Sequence, residues 1–91
     1  MSLECHYDDA NQQLVLAGEL TIYQVAKAKA AMADHAGAIL NLAEIEDLDG
    51  AGLQLLLAAR RDVGMRPGPL SAAAQAVLEL AGLGEWVGKE A

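Results

Sequence analysis

Apolar and polar residues alternate at the start of the chain: Leu3, Cys5 and Tyr7 are separated by Glu4 and His6. That is the period of a short, half-buried strand. A polar turn over residues 8–13 follows, then an apolar run over 14–17 that Gly18 and Glu19 close. So short a turn favours an antiparallel hairpin. Thr21, with Gln24 three positions on, has the spacing of a capping box and predicts a helix from near Ile22. Its apolar face would carry Ile22, Val25, Ala26, Met32, Ala33 and Ala36, opposite Gln24, Lys27 and Asp34, and Gly37 would end it.

Residues 38–42 are mostly apolar, as in a strand covered on both faces. An acidic loop over 44–49 then leads into the run from Leu53 to Ala59, which predicts a largely buried helix ending near Gly64. Asp49 is placed to cap that helix, and Gly50 and Gly52 would allow close approach to its first N–H groups. The alternating order calls for another strand, but Pro67 and Pro69 restrict it to a short edge strand around Leu70. A last helix is predicted over 73–81, with Ala74, Val77, Leu78 and Ala81 inward and Gly82 as its stop. Leu83, Trp86 and Val87 would pack back onto the body, and residues 88–91 would fray. The order β-β-α-β-α-β-α describes an α/β fold, a small mixed four-stranded sheet with helices packed on it. No linker or repeat divides residues 1–91, so they are read as a single domain.

Composition narrows the function. A 54% hydrophobic content fits a folded globule, and without Phe the core must be built from Leu, Val, Ile and Ala. A formal charge of −7, with the cations scattered, argues against nucleic acid and against adsorption to anionic membranes. With Cys5 as its single cysteine the chain can form no internal disulfide. Neither a signal peptide nor a membrane span is visible, which predicts a cytoplasmic location.

The phrases LAGELTIY around the second strand, LDGAGLQLLLAAR at the central helix and AVLELAGL near the end together resemble a STAS domain, over roughly residues 14–86. That family is named for sulfate transporters and anti-sigma factor antagonists. The resemblance implies a non-catalytic binding module with no cofactor and another protein as its partner: an anti-sigma kinase, a transporter ATPase of a phospholipid-trafficking system, or a chemotaxis component. In antagonists a kinase phosphorylates a Ser or Thr in the loop before the central helix, which breaks the complex. The matching position here is Gly50, which has no hydroxyl, while Asp49, Ala51, Gly52 and Leu53 keep the pattern. The resemblance therefore implies a docking surface made of Leu48, Asp49, Gly50, Ala51, Gly52 and Leu53 with the neighbouring Glu19, Thr21 and Tyr23, and no phosphate at the usual site.

The same residues admit plainer readings. Asp49 serves as a helix cap with or without a partner contact. The glycine-bracketed helix start could attract an anion, but no Lys-Ser/Thr follows as in a phosphate-binding loop. His6 and His35 have no ligand at metal spacing and are expected to face solvent. Glu44, Glu46, Asp47 and Asp49 lack the spacing of a calcium loop and read as a solvated rim. Cys5 has no evident base and reads as core. Leu55 and Leu56 fit a partner contact and coverage of the sheet equally well. No nucleophile–base pair is present, which speaks against an enzyme.

Overall fold

The computed structural model describes residues 2–82. The expectations for Leu83, Trp86, Val87 and residues 88–91 lie outside them. Four strands form one sheet in the order β1-β2-β3-β4: β1 (Leu3–Asp8), β2 (Gln13–Leu20), β3 (Ile39–Leu48) and β4 (Arg66–Leu70). β1 and β2 make the antiparallel hairpin, whereas β3 and β4 run parallel to β2 and to β3. Three helices link or follow them: α1 (Val25–Asp34), α2 (Gly50–Asp62) and α3 (Ala72–Leu80). This is the predicted order, with the sheet mixed as expected.

The sheet has one sealed face. Leu14 and Leu16 of β2 pair in register with Tyr7 and Cys5 of β1, and Leu14 pairs with Leu40 of β3. Leu3, Leu14, Leu16, Leu40 and Leu42 are all buried there, joined by Leu56 of α2 and by Ala74 and Leu78 of α3. Glu4, His6, Val15, Ala17 and Asn41 alternate with these positions, and none of them is fully buried. β3 is therefore not covered on both faces as its apolar start suggested.

Nor do residues 44–47 form a loop. β3 continues for ten residues, and irregularities in its pairing with β2 let Ile45 and Leu48 turn inward while Ala43, Glu44, Glu46 and Asp47 face solvent. Each irregularity inserts an offset that resets the alternation. β2 is longer than predicted for a related reason. Gly18 takes a φ of +107° and continues the strand, where a Cβ would stand 2.3 Å from the Ser2 carbonyl oxygen.

α1 begins at Val25 rather than near Ile22. The Gln24 side-chain oxygen accepts from both the Thr21 N–H and the Thr21 hydroxyl, and the Gln24 N–H donates to the Thr21 carbonyl at 2.9 Å. Those bonds close residues 21–24 into a turn before the helix starts. Its inward residues are Ala28 and Met32, with Val25 and Ala31 beside them; Ile22, Ala26, Ala33 and Ala36 are exposed. Of the expected stripe, Val25 and Met32 turn inward, whereas Ile22, Ala26, Ala33 and Ala36 do not.

Both prolines of β4 are tolerated because the strand lies at the sheet's edge. The Arg66 N–H donates to the Ala38 carbonyl at 2.9 Å, so by strand alternation positions 67 and 69 direct their nitrogens to the open side. The strand runs to five residues and ends at Leu70, around which a short strand was expected. Ser71 caps α3 by accepting from the Ala74 N–H at 3.0 Å. Ala81, expected inward, is the exposed residue that ends that helix.

Candidate interaction surface

Parallel strands β2 and β3 both end at the same side of the sheet, so the starts of α1 and α2 meet there. Asp49 joins them. One carboxylate oxygen accepts from the Gly52 N–H at 2.9 Å, capping α2, and the other accepts from the Ile22 N–H at 3.0 Å. The Gly52 N–H, then those of Ile22 and Ala51, hold the Asp49 carboxyl below its ordinary range. A 3.4 Å bond from the Asp49 N–H to the Leu20 carbonyl ties the corner back to β2.

Gly52 is needed for this closeness. A Cβ there would lie 2.2 Å from the Leu20 carbonyl oxygen and 2.8 Å from Leu48 Cδ1. At Gly50 a Cβ would meet nothing within 4 Å, and the residue is exposed.

The structure sorts the predicted docking residues into three groups. Tyr23, 90% exposed, and Gly50 are open to solvent. Glu19, Thr21, Asp49, Ala51 and Leu53 are half-buried; the Thr21 hydroxyl is engaged by Gln24, and Leu53 packs against the core. Leu48, at 6% exposure, and Gly52 are sealed, so they shape the corner without offering a side chain to a partner. Their inward packing corrects the expectation that they lie on the docking surface. Sequence reasoning missed Ile22, which is 64% exposed beside Tyr23. The one local signal is the Thr21–Gln24 pair, whose bonds close residues 21–24 into a turn ahead of α1 and leave Ile22 outside the inward stripe of that helix.

Other candidate chemistry disperses. Leu55 and Leu56 are both buried, and Leu55 also lines the space between α1 and α2. His6 is exposed, but His35, expected in solvent, is half-buried and stacks on Tyr7 with ring centroids 3.9 Å apart. Cys5 is half-buried, and burial pushes its thiol up, opposed by nearby Lys27. Among the described residues no three His, Cys, Asp or Glu side chains converge as a metal site. Nor is any described helix long and apolar enough to cross a membrane.

No family model matches the sequence, and no curated protein matches it. Solved structures do. One, described as the anti-sigma factor antagonist SpoIIAA in its unphosphorylated form, superposes with a TM-score of 0.65 over 93% of this chain and 84% of that chain, at 21% identity. At that identity the likeness is one of architecture: the chain has the STAS-like fold of an anti-sigma factor antagonist.

Proposed function

We propose that this chain is a non-catalytic docking domain of the cytoplasm that binds another protein through the corner where α1 and α2 begin. The contact surface comprises Ile22, Tyr23, Gly50 and Ala51, rimmed by Glu19, Thr21, Asp49 and Leu53. The observation that carries this reading is the exposure of Ile22 and Tyr23 at the corner where the Asp49 carboxylate accepts from both the Ile22 and the Gly52 N–H groups. Large apolar side chains held out on a rigid support are what a protein interface uses as anchors. The likeness to an antagonist of anti-sigma factors supports a regulatory role for this surface.

Control by phosphate at the helix start is absent from this reading, since position 50 carries no hydroxyl and the nearby Thr21 hydroxyl is bonded to Gln24. The domain therefore docks constitutively, and regulation acts on its partner.

Photo-crosslinking tests the site. A benzophenone amino acid placed at Tyr23 should capture a discrete protein in cells, and the same probe at His6, on the open face of the sheet, should not. Mass spectrometry of the adduct then assigns the partner as a kinase-type anti-sigma factor, a transporter ATPase or a chemotaxis protein. Capture from His6 with none from Tyr23 would overturn the assignment of the surface.

A further inference from the structure

The two edges of the sheet are finished differently. β4 carries Pro67 and Pro69, which leave its outer side without donors at those positions. β1, the other edge, contains neither proline nor glycine and pairs with β2 from Leu3 to Asp8 without an offset. The Ser2 carbonyl accepts from the Glu19 N–H at 3.0 Å. By strand alternation Glu4, His6 and Asp8 therefore direct their backbone groups to β2, and Leu3, Cys5 and Tyr7 direct theirs outward. Lys27 marks the same direction, since its Nζ donates to the Leu3 carbonyl at 2.6 Å. Among the described residues no strand lies beyond β1. A bare edge of this kind is a template for a further strand.

The strand β1 itself fits that place. When a second, antiparallel β1 brings its own outward groups to the edge, odd-numbered residues pair with odd-numbered ones. With Cys5 opposite Leu3, Glu4 faces Glu4; with Cys5 opposite Tyr7, Glu4 faces Asp8 and His6 faces His6. Like charges directly opposite one another destabilise a strand pair. With Cys5 opposite Cys5, by contrast, Glu4 faces His6, Leu3 faces Tyr7 and Asp8 faces Ser2. Of these three registers only the last avoids a like-charge pair, and it is self-complementary about a two-fold axis. Exposed Glu44, Glu46 and Asp47 lie on β3, two strands or about 10 Å from this edge, which is on the order of a Debye length.

We infer that two copies of this chain join edge to edge through antiparallel β1 strands centred on Cys5, extending one sheet into the other. The inference uses none of the corner residues and stands apart from the docking reading. One short strand from each copy makes a junction smaller than the standard interface of about 1,200–2,000 Å². Lys27 also has to release the Leu3 carbonyl before the outermost bonds form. The chain is therefore a monomer at low micromolar concentration and pairs as it is concentrated. At such dilution a photoprobe at His6 finds no second copy.

The test is sedimentation equilibrium of the full chain from about 20 µM to 1 mM, a range that covers weak association, with amide exchange followed by NMR at both ends. The average mass should rise toward that of a dimer, and the Cys5 and Tyr7 amides should exchange more slowly in the concentrated sample. His6→Glu sets carboxylates face to face and should weaken association about fivefold. Adding Glu4→Lys should restore it, whereas adding Glu44→Lys, which changes the net charge by the same amount, should not. Cys5→Pro removes the central outward donor, leaves the bonds to β2 in place and should abolish association with the circular dichroism spectrum retained. Glu4 and His6 are exposed, so the charge variants decide the matter whether or not the proline is tolerated. A chain that stays monomeric across the range, association indifferent to His6→Glu, or exchange slowed in α1 and α2 instead of β1 would overturn the inference.

Discussion

Asp49 accepts a 3.0 Å hydrogen bond from the backbone N–H of Ile22, a residue 27 positions earlier in the chain. Its other oxygen caps α2 through Gly52. A single carboxylate thus sets the start of one helix relative to the other, and with it the exposed Ile22–Tyr23 pair. Replacing Asp49 by Ala removes both acceptors. Loss of an N-cap costs about 1 kcal/mol, and the freed Ile22 N–H adds to that only as far as water fails to reach it. Urea unfolding should show a loss of about 1–2 kcal/mol, and amide exchange at Ile22 and Gly52 should accelerate more than at the core strands.

The same carboxylate makes a pH prediction. Its folded-state pKa lies below the ordinary carboxylate value, so the unfolded chain binds the proton more readily. The stabilisation is complete at neutral pH, begins to fade as pH falls through the ordinary range near 4, and is gone below the folded-state value. Asp49→Asn should flatten this acid limb of stability relative to the unmodified chain. Asp8, bonded to Asn11, and Asp62, bonded to Arg61, are shifted in the same direction, so some slope remains. Thermal melts between pH 3 and 7 would measure the difference; identical limbs would rule out the two-oxygen clamp.

Two glycines that look alike in sequence should respond in opposite ways. Gly50→Ser places its side chain in open space and replaces a poor helix former, so stability should hold within about 0.5 kcal/mol or rise slightly. Gly52→Ala drives a methyl into the Leu20 carbonyl and the Leu48 side chain, which should cost at least about 1–3 kcal/mol and shift the corner. Gly50→Ser also restores a hydroxyl where the fold can present one. Incubated with a kinase-type partner captured at Tyr23, that variant should accept phosphate and release it, since about −1.5 to −2 charge would arrive next to Asp49.

How far the sequence reveals this corner depends on which signals are local. Asp49 as a cap and the edge position of the proline strand can both be read from neighbouring residues. Thr21 and Gln24 were legible as a pair, but the hydroxyl donates to Gln24 instead of accepting from its N–H, and that inversion delays α1. The second half of β3 resembles an acidic loop because Glu44, Glu46 and Asp47 crowd it; its inward Leu42, Ile45 and Leu48 recur every third residue, a spacing that the pairing offsets with β2 explain. The bond from Ile22 to Asp49 has no local signature at all. It depends on two parallel strands ending side by side.

His35 supplies a last test, of packing away from the corner. Its ring lies parallel to that of Tyr7 with an interplanar angle of 8°, fastening the end of α1 to the edge strand β1. At that end of α1 the stack acts together with the buried Met32 and with the bond from the Gly37 N–H to the Val63 carbonyl. An aromatic pair contributes about 0.5–1.5 kcal/mol beyond its buried area. His35→Ala should therefore destabilise the domain by about 1 kcal/mol or somewhat more, whereas His6→Ala, on the open face, should change stability by less than about 0.5 kcal/mol. A Tyr7→Leu and His35→Ala double-mutant cycle in urea isolates the pair itself: a coupling near zero would mean that the rings are adjacent without holding the helix, and the end of α1 should then exchange its amides as fast in the parent chain as in the variant.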